Sequence, residues 1–183
     1  MVRSRRRVFA HSFSRSCVRP AGTAHYWRDV GTLDTYWNAS IELTRSEPGL
    51  NVFDRGWPIP TTAGSAKPSR FGLDDRGRGA ARADSMIGSG CVIGAASIRN
   101  SVIFSDVQVH HYADMTESVI LPNVQVGLHV TLKRAIVDKH CTLPPGLTVG
   151  VNAADDRRRF HVTASGITLI TPQMLGQRLG GGA

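Results

Sequence analysis

Hydrophobic and polar residues alternate in short runs along the second half of the chain, and these runs recur at a fixed spacing. The run Ser-Val-Ile begins at Ser101 and again at Ser118, and Ala-Ile-Val begins at Ala135, each 17 residues after the one before. Further runs in each copy place apolar side chains at alternate positions, which is the period of a strand with one buried face. Three short sides and three corners per copy predict one triangular winding of a parallel β-helix.

Four such windings are predicted over residues 83–150, the first of which fits the spacing more loosely. The six-residue units IGSGCV and IGAASI at 87–98 resemble the hexapeptide repeat of left-handed β-helices. The left-handed direction of the windings is inferred from that resemblance alone, because ordinary parallel crossover connections are right-handed. Stacking about three or more windings gives the inward apolar side chains a common core. Pro122, Pro144 and Pro145 at the corners exclude an amphipathic helix.

The first part of the chain, residues 1–60, has the pattern of a short α/β segment. A helix is predicted to begin at Gly31–Thr32, because apolar and small residues follow at helical spacing: Leu33, Tyr36, Trp37, Ser40 and Ile41. The stretch NVFDRGWPI at 51–59 predicts a short strand and a turn.

Residues 61–82 are rich in Gly, Pro, Ala, Ser and Arg and are predicted to be a linker. The β-helix domain with its tail then occupies 83–183. Within the tail, ADDRRRF at 154–160 predicts a helical turn that caps the last winding, and GITLIT at 166–171 predicts a strand.

The net charge of the chain is +8, from 22 Lys and Arg against 14 Asp and Glu. The arginines fall into three separate clusters, at 3–7, 76–82 and 157–159, and most aromatic residues precede residue 72. Nucleic-acid binding needs a continuous basic surface with stacking aromatics. We therefore expect solvated surface charge and no nucleic-acid partner.

The three cysteines, Cys17, Cys91 and Cys141, are far apart and odd in number, which is typical of a reducing compartment rather than a disulfide framework. No apolar run approaches the roughly 20 residues of a membrane span. The basic opening lacks the apolar segment of a secretory signal. A cytoplasmic protein without a membrane partner is the expectation.

Several motifs together resemble one enzyme family. YWRDVGTLDTYW (26–37), DRGWPI (54–59), the hexapeptide windings, PPGLTVGVNAADDRRRF (144–160) and GITLIT occur in this order in bacterial ADP-glucose pyrophosphorylase, also called glucose-1-phosphate adenylyltransferase. The resemblance implies formation of ADP-glucose and pyrophosphate from ATP and glucose 1-phosphate, the committed step towards glycogen. It also implies a Rossmann-like nucleotidyltransferase domain, of which 1–60 would be the C-terminal remnant, followed by a left-handed β-helix.

In this family an aspartate at the position of Asp29 binds catalytic Mg²⁺ together with a second carboxylate far upstream. Mg²⁺ prefers one or two carboxylates plus phosphate oxygens and waters, so a single Asp is an incomplete site. From the residues alone, Asp29 has two structural interpretations, a salt bridge with Arg28 or a contact at the helix N-terminus.

The Gly-rich phosphate loop and the sugar-phosphate lysine of the family have no counterpart in this sequence. We therefore expect no ADP-glucose synthesis by this chain alone. Separated from the sheet that it completes in the family, the segment 8–60 is expected to be poorly ordered or prone to aggregate through unpaired edges.

The resemblance also implies regulation and assembly. Sugar-phosphate and nucleotide effectors bind between the two domains of the family, and Lys139 matches a basic effector contact, although an exposed corner lysine without a role fits equally well. Pro172 and Gly176 stand where some members carry arginines. Members form homotetramers, partly through the β-helix.

Two other functions fit parts of the sequence. In hexapeptide-repeat acyltransferases a histidine of the windings acts as general base between subunits, and histidines are available here for that role or for a metal site between subunits: His110, His111, His129 and His140. The second alternative is a non-catalytic assembly module.

Overall fold

The computed structural model describes Phe9, Ala10 and Ser12 together with residues 26–55 and 67–178. Its main body is a parallel β-helix, so the predicted mainly β fold is confirmed. Strands of successive windings pair in parallel and form three sheets, which are the three faces of the prism. No helix of the described residues is long and apolar enough to span a membrane.

Each face collects one strand from every winding. The first face consists of Arg70–Phe71, Val92–Ile93, Gln108–Val109, Gln125–Val126 and Thr142–Leu143. The second face consists of Ala81–Ala83, Ser97–Arg99, Asp114–Thr116, Thr131–Lys133 and Thr148–Val149. The third face consists of Met86–Ile87, Val102–Ile103, Val119–Ile120, Ala135–Val137 and Thr168–Ile170, with His161–Val162 added antiparallel to the last of these strands.

The core is built from columns of inward side chains at equivalent positions of the windings. On the second face, for example, the register aligns Ile98, Met115, Leu132 and Val149, and all four are fully buried. Burying each large apolar side chain contributes about 1.5–3 kcal/mol. Because no single winding can bury these side chains alone, the stack is the folding unit.

Residues with positive φ turn the chain at the corners. Asp106, Asn123 and His140 occupy one corner of successive windings, with φ of 56°, 61° and 62°. Tyr112 and His129 do the same at the next corner, with φ of 63° and 57°. These conformations are unfavourable for most side chains, and backbone hydrogen bonds between adjacent windings hold them, such as Asn123 N–H to Ser105 O at 3.2 Å.

A ladder of serine hydroxyls links the windings beside the third face. The backbone N–H of Ser118 donates to Ser101 Oγ at 3.1 Å, and Ser118 Oγ in turn accepts from the N–H of Ala135 at 3.4 Å. Ser118 Oγ also donates to the carbonyl of Thr116 at 2.9 Å. Because Ser118 is fully buried, its hydroxyl satisfies a backbone donor that water cannot reach.

The β-helix begins earlier than the sequence predicted. Arg70–Phe71 pairs with Val92–Ile93, and Ala81–Ala83 pairs with Ser97–Arg99, so the first strand lies within the predicted linker 61–82 and the second begins there. The boundary at residue 83 is therefore wrong on its N-terminal side. Residues 72–80 form a long corner in this first winding, which conceals the repeat.

The next winding is shorter by one residue at the same corner. Val92 pairs with Gln108, 16 residues later, whereas Ser97 pairs with Asp114, 17 residues later. The corner between Val92 and Ser97 therefore has one residue fewer than the corner between Gln108 and Asp114. At this corner, the backbone N–H of Ala95 donates a hydrogen bond to Nδ1 of His111 at 3.0 Å. This irregularity explains why the first predicted copy matched the spacing only loosely.

Helix α1 spans Leu33–Glu42, where a helix was predicted. Thr32 is its N-cap, and Thr32 and Thr35 form a reciprocal capping box. Residues 51–55 form a turn and contain no strand, and the rest of the predicted strand and turn at 51–59 lies outside the described residues.

The C-terminal segment closes one end of the prism. Helix α2 spans Ala153–Arg159, as predicted, with Asn152 as its N-cap. Asp156, which is 2% exposed, accepts from the N–H of Gly150 at 2.9 Å. Gly150 has φ of +80°, and a Cβ there would lie 1.9 Å from the carbonyl oxygen of Lys133, so only glycine fits. Phe160 then packs into the core.

We predict that Ser118→Ala lowers the free energy of unfolding by about 1–3 kcal/mol, because the buried N–H of Ala135 loses its acceptor. Urea denaturation followed by circular dichroism measures the change. Ser85→Ala is the matched control, since Ser85 is a half-buried rung at the start of the same ladder. Equal losses of unfolding free energy in Ser118→Ala and Ser85→Ala would show that burial of the serine does not determine how much its hydroxyl contributes.

Candidate functional site

Asp29 lies on an exposed segment just ahead of helix α1. Its Oδ1 accepts a hydrogen bond from the N–H of Gly31 at 2.9 Å, which holds the carboxylate at the entry to the helix. A Cβ on Gly31 would lie 3.1 Å from that oxygen, so glycine leaves room for this contact. Within the described part of the chain, Oδ2 of Asp29 accepts no hydrogen bond and remains available to a ligand.

Neither structural interpretation of Asp29 is found: its hydrogen bond is to Gly31, which precedes the N-cap Thr32, and Arg28 is not its partner. Arg28 instead pairs with Glu42 at the far end of helix α1, with nitrogen–oxygen distances of 2.8 and 2.9 Å. The hydrogen bond from Arg28 to Glu42 raises the pKa of the guanidinium. The salt bridge ties the segment that carries Asp29 along the length of the helix.

Trp37 anchors helix α1 to the third face of the β-helix. Its ring is 7% exposed and packs against Val119, Ile136 and Ile167. Trp37 Nε1 donates to the carbonyl of Glu117 at 2.8 Å. The guanidinium of Arg134 lies 4.8 Å from the centre of the indole ring, within range of a cation–π interaction.

Asp34 makes a second attachment, to the loop between the last two strands of the third face. Its Oδ1 accepts from Thr163 Oγ1 at 2.8 Å and from Ser165 Oγ. The hydroxyls of Ser165 and Thr163 hold the pKa of the Asp34 carboxyl below its usual range. A lowered pKa means that the contact is complete at neutral pH and is lost only as the pH falls below about 4.

These contacts bear on the prediction that the segment 8–60 is poorly ordered. Residues 26–55 carry a capped helix whose apolar side is covered by the third face. The β-helix therefore replaces part of the surroundings that this segment was expected to lack. The rest of the predicted segment, apart from Phe9, Ala10 and Ser12, lies outside the described residues.

Lys139 is exposed at the corner that follows the third face. Its backbone N–H is held by Asp138 Oδ1 at 2.8 Å. The C-terminal tail runs beside this corner: Asp138 N–H donates to Ile170 O at 2.8 Å, and the side chain of Gln177 bonds both backbone groups of Thr142. Pro172 is buried there and Gly176 is exposed, so neither contributes a cation.

Within a single chain, the described histidines do not converge on a metal site. Among the residues that the structure describes, no group of three His, Cys, Asp or Glu side chains could hold a metal ion. His111 accepts from the backbone of Ala95, and His129 stacks on Tyr112 with ring centres 5.0 Å apart. Their visible roles are structural.

A polar cleft of about 440 Å³ lies between the end of helix α1 and a corner of the β-helix. Its lining includes Thr44, Arg45, Glu47, Asp84 and Asn100, but neither Asp29 nor Lys139. No described contact joins Asp29 to Lys139. Asp29 precedes helix α1, which packs on the third face, and Lys139 follows a strand of that face.

Known proteins resemble this chain at two levels. The family model for the GlmU-like C-terminal hexapeptide matches residues 67–170. The chain belongs to this hexapeptide family. The match begins at residue 67, which agrees with the early start of the β-helix.

Proteins named glucose-1-phosphate adenylyltransferase are similar over almost the whole chain. The relative from Dechloromonas aromatica is 50% identical over 173 residues, which is 94% of this chain and 39% of the relative. Relatives from Methylobacillus flagellatus and Nitrosomonas europaea are also 50% identical, over 94% and 97% of this chain. The chain thus spans about 40% of the curated relatives it matches and corresponds to their C-terminal portion.

Sequence reasoning missed the residues that attach helix α1. Trp37 was placed on the helix by its spacing, but its partners Glu117 and Arg134 are 80 or more positions away. Asp34 was not singled out, and Thr163 and Ser165 showed no signal beyond a turn. The only available hint was the position of Asp34 in the first turn of a predicted helix.

We predict that Trp37→Phe weakens the attachment of helix α1 without unfolding the β-helix. Phenylalanine keeps most of the apolar contact but cannot donate to Glu117 O, which costs about 1–2 kcal/mol. Hydrogen exchange read by mass spectrometry should be about tenfold faster in residues 33–42 and unchanged in the windings. Trp27→Phe is the control, because Trp27 is 67% exposed; faster exchange in that variant would refute the assignment.

Proposed function

We propose that this chain supplies the C-terminal, β-helical part of a glucose-1-phosphate adenylyltransferase. That enzyme would join ATP and glucose 1-phosphate into ADP-glucose and pyrophosphate for glycogen synthesis. The observation that carries the proposal is 50% identity over 94% of the chain, which covers both the Asp29 segment and the β-helix. Because the chain spans about 40% of such relatives, the activity belongs to an assembly that includes the remaining portion.

The donor set at Asp29 fits one ligand position of a Mg²⁺ ion. A carboxylate oxygen is the ligand that Mg²⁺ prefers, and the exposed Oδ2 is accessible. When bound, the ion would neutralise charge on the phosphates of ATP and on the leaving pyrophosphate. Asp29 alone does not complete the site, so we expect only weak binding of Mg²⁺ by this chain and no synthesis without the second carboxylate.

Helix α1 would act as a positioning element for Asp29. The hydrogen bond to Gly31 N–H fixes the carboxylate relative to the helix, and Trp37 and Asp34 fix the helix relative to the third face. Because the Asp29 carboxylate is already held in place, less conformational entropy is lost when substrate and ion bind. The β-helix would thus serve catalysis through the attachment of this helix.

Lys139 would contact an anionic sugar-phosphate or nucleotide effector. Its ammonium is exposed, and the neighbouring tail leaves the corner accessible. A phosphate group gains charge-assisted hydrogen bonds from such a cation. Since Pro172 and Gly176 supply no further charge, we propose weaker effector binding than in members that carry arginines at both positions.

We also propose a cytoplasmic homo-oligomer. Burial raises the pKa of the Cys141 thiol to about 12 and also raises that of Cys91, so both are inert free thiols of the kind found in reducing compartments. On the first face, Phe71 and Val92 are 41% and 48% exposed. Flat exposed faces are the surfaces through which β-helices associate.

A non-catalytic assembly module is the second candidate function. The observation in its favour is that the prism has its own continuous core, independent of Asp29. Mixing distinguishes the two functions. A catalytic role requires the chain to restore synthesis to the complementary portion of a relative, whereas an assembly module would change only its oligomeric state.

We predict that this chain restores ADP-glucose synthesis when mixed with the separately produced remaining portion of the Dechloromonas aromatica relative. Pyrophosphate release with ATP and glucose 1-phosphate measures the activity. Asp29→Asn should lower the restored rate by at least about a hundredfold. Loss of a residue that only supports a metal ligand already costs up to about a hundredfold, and Asp29 would be a ligand itself. Vigorous pyrophosphate release by the 183-residue chain alone would contradict the proposal.

The control for Asp29→Asn is Asp84→Asn. Asp84 is exposed at a corner with φ of 43°, which asparagine tolerates, and the substitution removes the same single charge. We expect the restored rate of this variant to match the unmodified chain. An equal loss in both variants would show that net charge, rather than metal binding, controls the reconstituted activity.

We predict that Lys139→Gln raises the concentration of sugar-phosphate activator needed for half-maximal stimulation by about tenfold, the effect of losing about 1.4 kcal/mol. The maximal rate should not change, because Lys139 lies away from Asp29. Titration of fructose 1,6-bisphosphate into the reconstituted enzyme measures the shift. Lys133→Gln is the control on the exposed second face, and an unchanged titration for Lys139→Gln would rule out the effector contact.

A further inference from the structure

The corner at residues 72–80 is much longer than the equivalent corners of the windings that follow it. Equivalent corners of the following windings are completed by residues 94–96 and 110–113. Insertions in repeat proteins project from one side of the stack, and that side is often the binding side. The corner therefore marks a surface where the chain departs from the simplest winding.

A buried carboxylate organises this corner. Asp74 accepts from the backbone N–H groups of Arg76 and Arg78, at 2.9 and 2.8 Å. Its side chain is 1% exposed and forms a salt bridge with the guanidinium of Arg78 at 2.8 Å. These hydrogen bonds hold the pKa of Asp74 below its usual range. The result is an arginine held in a fixed place, with 60% of its side chain exposed.

Arg78 stands at the rim of a groove of about 440 Å³ between the corner and the second face. The opposite rim carries Arg99, whose guanidinium bonds Asp114 Oδ1 at 2.9 Å and Ser97 Oγ at 2.8 Å. The floor consists of small side chains that leave the space open: Ala81, Ala95, Ala96 and Ala113. Tyr112, which is 40% exposed, also lines the groove.

The charges that line the groove cancel. Arg78 is paired with Asp74 and Arg99 with Asp114, and these four are the charged residues of the lining. An anionic ligand would meet two arginines that already have carboxylate partners, and a cation would meet two neutralised carboxylates. The groove therefore favours an uncharged ligand.

The groove offers donors and acceptors side by side. Both guanidiniums keep N–H groups beyond those that their partners use, because each has five donors. In the described residues, Asp114 Oδ2 accepts no hydrogen bond. Sugar hydroxyls both donate and accept, so they can use the two kinds of group at once. Tyr112 stacks on His129 with one face of its ring, and its remaining exposed surface can pack against the apolar C–H side of a sugar ring.

We propose that this groove binds an uncharged oligosaccharide, with Arg78, Arg99 and Asp114 contacting hydroxyls and Tyr112 packing against a sugar ring. The proposal does not depend on the proposed function. It uses neither Asp29 nor Lys139, and the oligosaccharide is neither a substrate nor an effector of the reaction considered above.

Titration of the ¹⁵N-labelled full chain with maltoheptaose, followed by NMR, tests the proposal. We expect saturable shifts confined to the amides around Gly79, Ser97, Arg99 and Tyr112. Cellohexaose and inorganic phosphate are titrated in parallel, the first as a second uncharged oligosaccharide and the second as a simple anion. Binding of either oligosaccharide at this groove supports the proposal, whereas absence of shifts with both overturns it.

Two variants locate the binding. Tyr112→Asn removes the ring but suits the positive φ of 63°, and it should weaken binding by about tenfold or more. Ala81→Gln fills the groove from an exposed strand position and should abolish binding. His140→Asn is the matched control at another positive-φ corner and should bind as the unmodified chain does.

Circular dichroism and thermal denaturation establish that each variant is folded. If Tyr112→Asn does not fold, Ala81→Gln decides the result, because its backbone conformation is ordinary strand. Unchanged binding by Ala81→Gln would overturn the assignment to this groove. If phosphate shifts the same amide signals and neither oligosaccharide does, the paired carboxylates do not neutralise the arginines, and the proposal is overturned.

Discussion

The backbone at the corners is the constraint on which the rest of this structure depends. Each winding must turn sharply to lay the next strand beside the previous one, and most turns use a residue with positive φ. Among the residues that the structure describes, nine of those with positive φ are not glycine, including Tyr112, Glu117 and His140. Their intrinsic cost is offset by hydrogen bonds between windings and by the apolar columns that those bonds align. A conformation that is poor for a single residue becomes stable because the stack repeats it.

The same corners carry or position the residues of the proposed sites. The carbonyl of Glu117, at one positive-φ corner, receives the indole N–H of Trp37 and so fixes helix α1. Asp29 gains a defined position only through that helix. Lys139 stands at another corner, and Tyr112 at a third. The faces supply regular surfaces, whereas the corners supply the chemically distinct residues.

The sequence was sufficient to predict the windings, because the 17-residue repeat places apolar residues in matching columns from Ser101 onwards. Helix α1 and helix α2 were also predictable from their caps and spacing. The first winding was missed because residues 72–80 interrupt the repeat and because Gly, Pro and Arg dominate its composition. Composition describes only the local chain. Whether a segment belongs to the β-helix depends on its pairing with a strand more than ten residues away, which composition does not show.

Contacts at the candidate site were less predictable for the same reason. Asp29 was identified through resemblance, and its hydrogen bond to Gly31 follows from local sequence. One structural interpretation of Asp29 paired it with its neighbour Arg28, but Arg28 pairs with Glu42, one helix length away. The pairing of Asp34 with Thr163 and Ser165 joins the two ends of the chain and depends on the complete fold. Local chemistry was visible in the sequence, but the contacts that position it were not.

The two ends of the prism are unequal. Helix α2 and Phe160 cover one end, whereas at the other end Phe71 is 41% exposed and the guanidinium of Arg82 lies 4.0 Å from its ring centre. In a stack whose members touch only their neighbours, melting propagates from the weaker terminus. Thermal fraying should therefore travel in one direction, from the strand at Arg70 towards the tail, and the segment that binds helix α1 would be among the last to open.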